Sequence, residues 1–266
     1  MARLLKYNTK ATTTAFSTYR GEGVGCYGGF NITPYCGDTQ EHVAECRKEL
    51  CEQLGIEDRQ LILPYQTHSD RVVIIDKDFT LLDEKEQSEA LNGVDAIITA
   101  LPHTCIGVST ADCIPVLLHD TKLDVVAAIH AGWRGTVARI VEKTISAMEQ
   151  HYECCPHDME AIIAPGISID AFEVGNEVYG AFETADFPMK EIARRYPTAE
   201  GGEKWHIDLW EANSYILQQC GITKENIHTA GICTFTQHED FFSARRLGIK
   251  SGRIFSGILL KPCTVG

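Results

Sequence analysis

The chain has no CxxC pair and no HxH pair among its 11 cysteines and 10 histidines. It also lacks any stretch approaching the ~20 consecutive apolar residues that a membrane span requires, and any excess of basic residues, its net charge being −13. Each absence excludes a class. Scattered cysteines in odd number, in 266 residues without secretory features, argue against a disulfide framework. A strongly acidic chain is a poor partner for a phosphate backbone, so nucleic acid is not expected as a ligand. No apolar run follows the basic residues of Met1–Tyr7, so no signal peptide is expected, and the sequon Asn31-Ile32-Thr33 then carries no meaning. Repeats, linkers and low-complexity segments are missing too. The expectation is a cytoplasmic, reducing-compartment protein without a membrane partner, monomer or homodimer, folded as one domain over 1–266.

What is present is a core-forming sequence with 44% hydrophobic residues. Thr39–Leu54 reads as an amphipathic helix with Val43, Cys46, Leu50 and Leu54 on one stripe, capped by Asp38 or Thr39. Short apolar runs at 71–76, 95–99, 105–109, 115–118 and 124–129 read as strands. A helix is expected from about Gly135 to His151. The second half repeats the alternation: a strand at 161–164, a helix at 176–184, a polar surface excursion at 186–204, a helix over 208–220 stopped by Gly221, and a strand at 226–232. Helices mixed with strands throughout predict an α/β or α+β domain on a mixed β-sheet flanked by helices.

Three soft metal ligands stand in distinctive contexts. His68 lies in PYQTHSD, Cys113 in TADCIPV and His130 in IHAGWRG. Taken singly, each reads as an ordinary buried residue. Together, two imidazoles and a thiolate suit Zn²⁺, and a three-ligand zinc keeps a position free for water or substrate. All three fall at strand ends, where the sheet limits their motion. Gly132 and Gly135, around Trp133 and Arg134, suggest a sharply bent backbone that turns side chains, Arg134 included, toward a cleft.

The segments QTHSDRV, TADCIPVLL and HAGWRGT resemble those of the YfiH/YlmD family of bacterial proteins, which is related to a human laccase domain-containing protein. The resemblance covers nearly the whole chain, with Gly37-Asp38, Gly166-Ile167, Phe172–Gly175, Asp208-Leu209, Cys233-Thr234 and Phe241–Arg246 following in order. It implies that His68, Cys113 and His130 hold zinc. It also implies a purine nucleoside substrate, phosphorolysis to base and ribose 1-phosphate, and adenosine deamination as a companion activity. Asn31 matches a position near the substrate, and Arg47 matches an Arg that could hold phosphate. Where the family pattern has Asn before that Arg, this chain has Cys46.

The chemistry assigns further candidates. Arg245 offers a bidentate clamp for an anion, anchored by Phe241 and Phe242. Asp112, next to Cys113, serves either as general acid or base or as a support for a ligand. Cys113 and His130 enter the list of catalytic residues as well as that of ligands. The bland alternatives are a solvated helix charge for Arg47, a surface pair for Arg245 and Arg246, and a turn residue for Asn31.

Other signals fail. Gly23–Gly28 matches GxGxxG but follows no convincing strand and opens no helix; its glycines are expected instead to let the backbone approach substrate closely. His238-Glu239 lacks the second His of HExxH. His103, His119, His151 and His157 are assigned to solvent, and the pair Cys154-Cys155 to an inert helix end. Three other functions compete: a Cys113–His130 hydrolase, which suits the peptidoglycan-editing role described for some family members; a copper polyphenol oxidase, disfavoured by the missing HxH pairs; and a non-catalytic binding module.

Overall fold

A computed structural model describes residues 1–23, 25–198 and 201–261. Two β-sheets lie face to face, and each is covered on its outer side by helix. The larger sheet has six strands in the order Ile227–Thr229, Met159–Ile163, Ile114–Asp120, Val125–Ala131, Ala96–Thr99 and Val72–Ile75. Ile114–Asp120 runs antiparallel to both its neighbours, whereas the two edge pairs are parallel, so the sheet is mixed. The second sheet has five strands, in the order Leu4–Lys6, Thr13–Thr18, Ile254–Leu260, Thr104–Thr110 and Leu61–Ile62.

Period-2 alternation explains the layering, because successive side chains leave a strand on opposite faces. In the larger sheet Ile97, Leu117, Val126, Ala128 and Ile162 meet Ala15, Ile106, Val108 and Ile258 of the second sheet. Their neighbours Ile98, Val116, Leu118, Ala127, Ile129 and Ala161 face the helices Ile140–Tyr152 and Leu209–Gln219. Strands buried on both faces read as unbroken apolar runs, which is why these segments were legible. The helix Gln40–Leu54 closes the other side, laying Cys46, Leu50 and Cys51 on Phe16, Cys105, Phe255 and Leu259. Thr39 caps it, its hydroxyl accepting from the His42 N–H, and Gly55 ends it in the left-handed region at φ 69°.

Three expectations are corrected. The helix expected from Gly135 to His151 is two, Trp133–Val137 and Ile140–Tyr152, parted where Arg139 adopts φ 60° with its guanidinium over Phe187 and bonded to the Ala185 carbonyl. The excursion expected at 186–204 contains the helical turn Met189–Ile192 and the strand Ala193–Pro197, which joins Glu203–Ile207 and Glu173–Val174 in a third, three-stranded sheet. It is held because Phe187 and Ile192 are buried and Trp205 stacks on Tyr179 at 4.1 Å. His119 is not in solvent but 2% exposed, with Nε2 3.2 Å from Asp124. At the Gly23–Gly28 motif, of which Val24 lies outside the described residues, the chain approaches itself closely: a Cβ on Gly23 would stand 2.1 Å from the Gly29 nitrogen. The strands Leu4–Lys6, Thr13–Thr18 and Ile254–Leu260 are additions to the expected set.

Candidate metal centre

His130 is the penultimate residue of Val125–Ala131 and pairs with Pro115 across the ladder. That register sets Cys113, one residue before the strand Ile114–Asp120, beside it. A cis peptide joins Ala111 to Asp112 in the link leading to Cys113. His68 comes from a separate segment and adopts the left-handed region, φ 61°. The ligand atoms of the three residues lie within 4.8 Å of one another, with Cys113 Sγ 3.8 Å from His68 Nε2. Their exposure grades from exposed His68 through half-buried Cys113 to buried His130, so the cluster is supported from below and open above.

Two features make the convergence possible. Gly132 leaves room for it, since a Cβ there would stand 3.0 Å from Cys113 Sγ and 3.1 Å from His68 Cδ2. Asp95, fully buried, organises two of the three ligands. Its Oδ1 lies 2.6 Å from His130 Nδ1 and accepts the His68 N–H at 3.0 Å, while Oδ2 accepts the N–H groups of Thr67 and Ser69 and the Ser69 hydroxyl. With Nδ1 engaged, Nε2 is the ring atom His130 has free for a metal.

The electrostatics match that arrangement. Burial alone would raise the Asp95 carboxyl, yet the hydrogen bond and charge of His130, with those from Ser69, hold it down to about 2. Burial would likewise raise the Cys113 thiol, but His130 charge and hydrogen bonds from both histidines lower it to about 6. His130 is raised above the ordinary imidazole range: desolvation opposes its charge, and the Cys113 thiolate and Asp95 outweigh it. A thiolate at neutral pH and an imidazole aimed by a carboxylate are the donors a soft divalent ion prefers. The residues therefore fit a single metal ion.

A cavity of about 460 Å³ opens over the cluster, its lining including Tyr35, Tyr65, Ala244, Ile249, Lys250 and Arg253. The two tyrosine rings meet edge to face at 4.7 Å. Related chains are known. Residues 14–261 match the family described as multi-copper polyphenol oxidoreductase laccase. The chain belongs to this family. It is 44% identical over 263 residues to a purine nucleoside phosphorylase of Bacteroides thetaiotaomicron, covering 97% of this chain and 96% of that one. It is 45% identical over 249 residues to adenosine deaminase RL5 from an unknown prokaryotic organism, covering 93% and 94%. The hypothetical protein YfiH of Bacillus licheniformis superposes with a TM-score of 0.83 at 26% identity, covering 94% of this chain and 93% of that one.

The family member described here brings some expected residues together and parts others. His68, Cys113 and His130 converge. Asp112 adjoins them, but both its oxygens are engaged, Oδ1 by the Thr234 hydroxyl at 2.7 Å and Oδ2 by the Arg245 N–H at 2.9 Å. That geometry fits support of the link before Cys113. Asn31 is fully buried and spends its amide on Asp38, Thr33 and the Arg253 N–H. Arg47 does not line the cavity; it is bonded to Asp58 Oδ1 and the Leu61 carbonyl. Arg134 is exposed and lies over Trp133, and Arg245 lies over Phe172 with a bond to the Glu173 carbonyl. Phe241 and Phe242 anchor the Arg245 segment as expected, at 1% and 0% exposure. Asp95, Tyr35, Tyr65 and Lys250 were not singled out from sequence. Tyr65 stands inside the motif that carries His68; the others have no comparable local mark.

Proposed function

We propose that this chain is a zinc-dependent purine nucleoside phosphorylase that also deaminates adenosine, acting as a single cytoplasmic domain on small molecules. The observation carrying this reading is the open His68–Cys113–His130 cluster at the floor of a cavity walled by two tyrosines. The names of two relatives at 44% and 45% identity support the same substrate class. Among the described residues, no helix is long and apolar enough to cross a membrane. One His/Cys cluster of three ligands is present among those residues, fewer than a multicopper centre uses.

Zinc held by His68, Cys113 and His130 would supply Lewis-acid activation of water, which deamination needs. Asp95 keeps the His130 ring in one orientation and one tautomer throughout. Tyr35 and Tyr65 offer π-faces and edges against which a purine can pack. In deamination, water oxygen bonds to C6 and the C6–N bond breaks, releasing ammonia and leaving inosine. In phosphorolysis, a phosphate oxygen bonds to C1′ as the C1′–N9 bond breaks. Its electron pair goes to the purine, which takes up a proton and leaves as free base.

Liquid chromatography of zinc-loaded protein incubated with adenosine, with and without phosphate, tests the reading. Adenine that requires phosphate, and is lost in Cys113→Ala, is expected. Neither base nor inosine from a metal-replete sample would overturn it.

A second reading has an observation of its own. The lowered Cys113 thiol beside His130, which is held by Asp95, is also the geometry of a thiol hydrolase. In that case activity on an acyl or muropeptide substrate would persist in metal-free protein and vanish on alkylation with iodoacetamide.

A further inference from the structure

Phosphorolysis requires an oxyanion to be held next to the reacting carbon, and few groups of this cavity can hold one. Arg47, Arg134 and Arg245 are absent from its lining. Arg253 lines it, but its guanidinium donates to the carbonyls of Ile249, Ser251 and Gly252, bracing its own loop. The Ser109 hydroxyl is paired with that of Thr33 at 2.6 Å, and the Tyr35 hydroxyl is bonded to the Pro64 carbonyl.

Two groups remain. Lys250 lines the cavity, is exposed, and is paired with no carboxylate among the described residues. Thr110, the last residue of Thr104–Thr110, lines the same cavity at 2% exposure, and its buried hydroxyl has no hydrogen-bond partner among the described residues. A buried hydroxyl without a partner is uncommon in a native fold and calls for a ligand or a water. A flexible ammonium is a point-charge binder of phosphate. On a chain of net charge −13, a cation at the cavity wall with free N–H donors favours an anion there, and the Arg253 charge beside it adds to the same field.

We propose that Lys250 and Thr110 form the phosphate-binding part of the cavity. This rests on the phosphorylase reading above. Lys250 supplies charge to the non-attacking oxygens, and the Thr110 hydroxyl orients one of them.

The test is the initial rate of base release by zinc-loaded full-length chain against inorganic phosphate concentration, with zinc content measured for every variant. Lys250→Met is expected to raise KM for phosphate about tenfold or more, the loss of one charged contact. KM for adenosine should move by less than about twofold over the same series. Lys250→Arg should recover most of the loss, since it keeps the charge. Thr110→Val, nearly isosteric, should raise KM for phosphate about threefold. A zinc-replete Lys250→Met enzyme whose phosphate KM matches wild type would overturn the assignment while leaving the phosphorylase reading intact. A wild-type enzyme that releases no base in the presence of phosphate would overturn both.

Discussion

His130 Nδ1 stands 2.6 Å from Asp95 Oδ1, and the same buried carboxylate accepts the backbone N–H groups of Thr67, His68 and Ser69. One side chain thus aims the ring of one candidate ligand and fixes the backbone of another. The His68 backbone would find φ 61° unfavourable without such partners. The backbone repeats the tie, since the His130 N–H donates to the Asp95 carbonyl at 2.7 Å.

Asp95→Asn is therefore expected to lower both stability and metal affinity. Asparagine keeps the shape but loses the charge, and its NH₂ would confront N–H donors that now meet an acceptor. Removing one partner of a buried charged pair costs about 3 kcal/mol. Loss of the group orienting a ligand weakens metal binding about 10- to 100-fold. Denaturant midpoints of the metal-free variant and competition with a chromogenic chelator measure the two effects separately. Metal affinity within about threefold of wild type would remove Asp95 from the role assigned to it.

The ligands themselves were readable because each sits in a short segment whose neighbours are unusual: THS, ADC and HAGWRG. Asp95 was not, because nothing in GVDAI distinguishes it from any acidic residue ahead of a strand. Its role comes from the register Ala96↔Ile129, a pairing between segments more than thirty residues apart. The central strands were legible as apolar runs, whereas their division between two sheets was not, since burial on both faces erases the alternation that would assign a face. The break at Arg139 carries neither Pro nor Gly to announce it. Residues 186–204 misled because their small sheet exposes Arg194, Arg195 and Lys204, giving a loop-like composition to residues that pair as strands.

Cys113 in metal-free protein is expected to be alkylated far faster at neutral pH than an ordinary thiol. The thiolate is the nucleophile, and its pKa is lowered to about 6 by His130 and His68 against the effect of burial. The sign follows directly: the rate should rise with pH through about 6 and level off above 7, where an unperturbed thiol, at about 8.5, is still mostly protonated. Burial pushes Cys51 up to about 11 and Cys154 up to about 12, so neither competes. Peptide mapping after brief iodoacetamide treatment across pH 5–9 gives the profile. A midpoint near the ordinary thiol value would show that the imidazoles do not act on Cys113, and protection by added zinc would show that the ion and the reagent share the same sulfur.

Arg47→Ala is expected to affect stability rather than phosphate use. Its Nε lies 2.9 Å from Asp58 Oδ1, and Asp58 is 70% exposed, so the ion pair is solvent-screened. With the bond to the Leu61 carbonyl, the loss should be about 1 kcal/mol. Thermal unfolding reads this, and the phosphate dependence of base release reads the other half. A phosphate KM raised about tenfold at unchanged stability would return Arg47 to the anion-binding role its sequence position suggested.

Gly132→Ala separates convergence of the ligands from stability of the fold. The Gly132 backbone, at φ −66°, is one alanine adopts without strain, so a methyl group there should not unfold the chain. Replacing glycine at a compatible position even favours folding by about 0.5 kcal/mol, because the unfolded chain loses freedom. The methyl would nonetheless stand 3.0 Å from Cys113 Sγ and 3.1 Å from His68 Cδ2, so both ligands must yield by a few tenths of an ångström. Metal–ligand distances tolerate only about 0.2 Å. The expected result is a metal-free protein with an unchanged or slightly raised melting temperature that binds zinc about tenfold more weakly. That outcome differs in kind from Asp95→Asn, where stability falls as well. Unaltered zinc affinity in Gly132→Ala would mean that the bound ion does not draw Cys113 and His68 together across Gly132, and a three-ligand centre would have to give way to the thiol reading of Cys113.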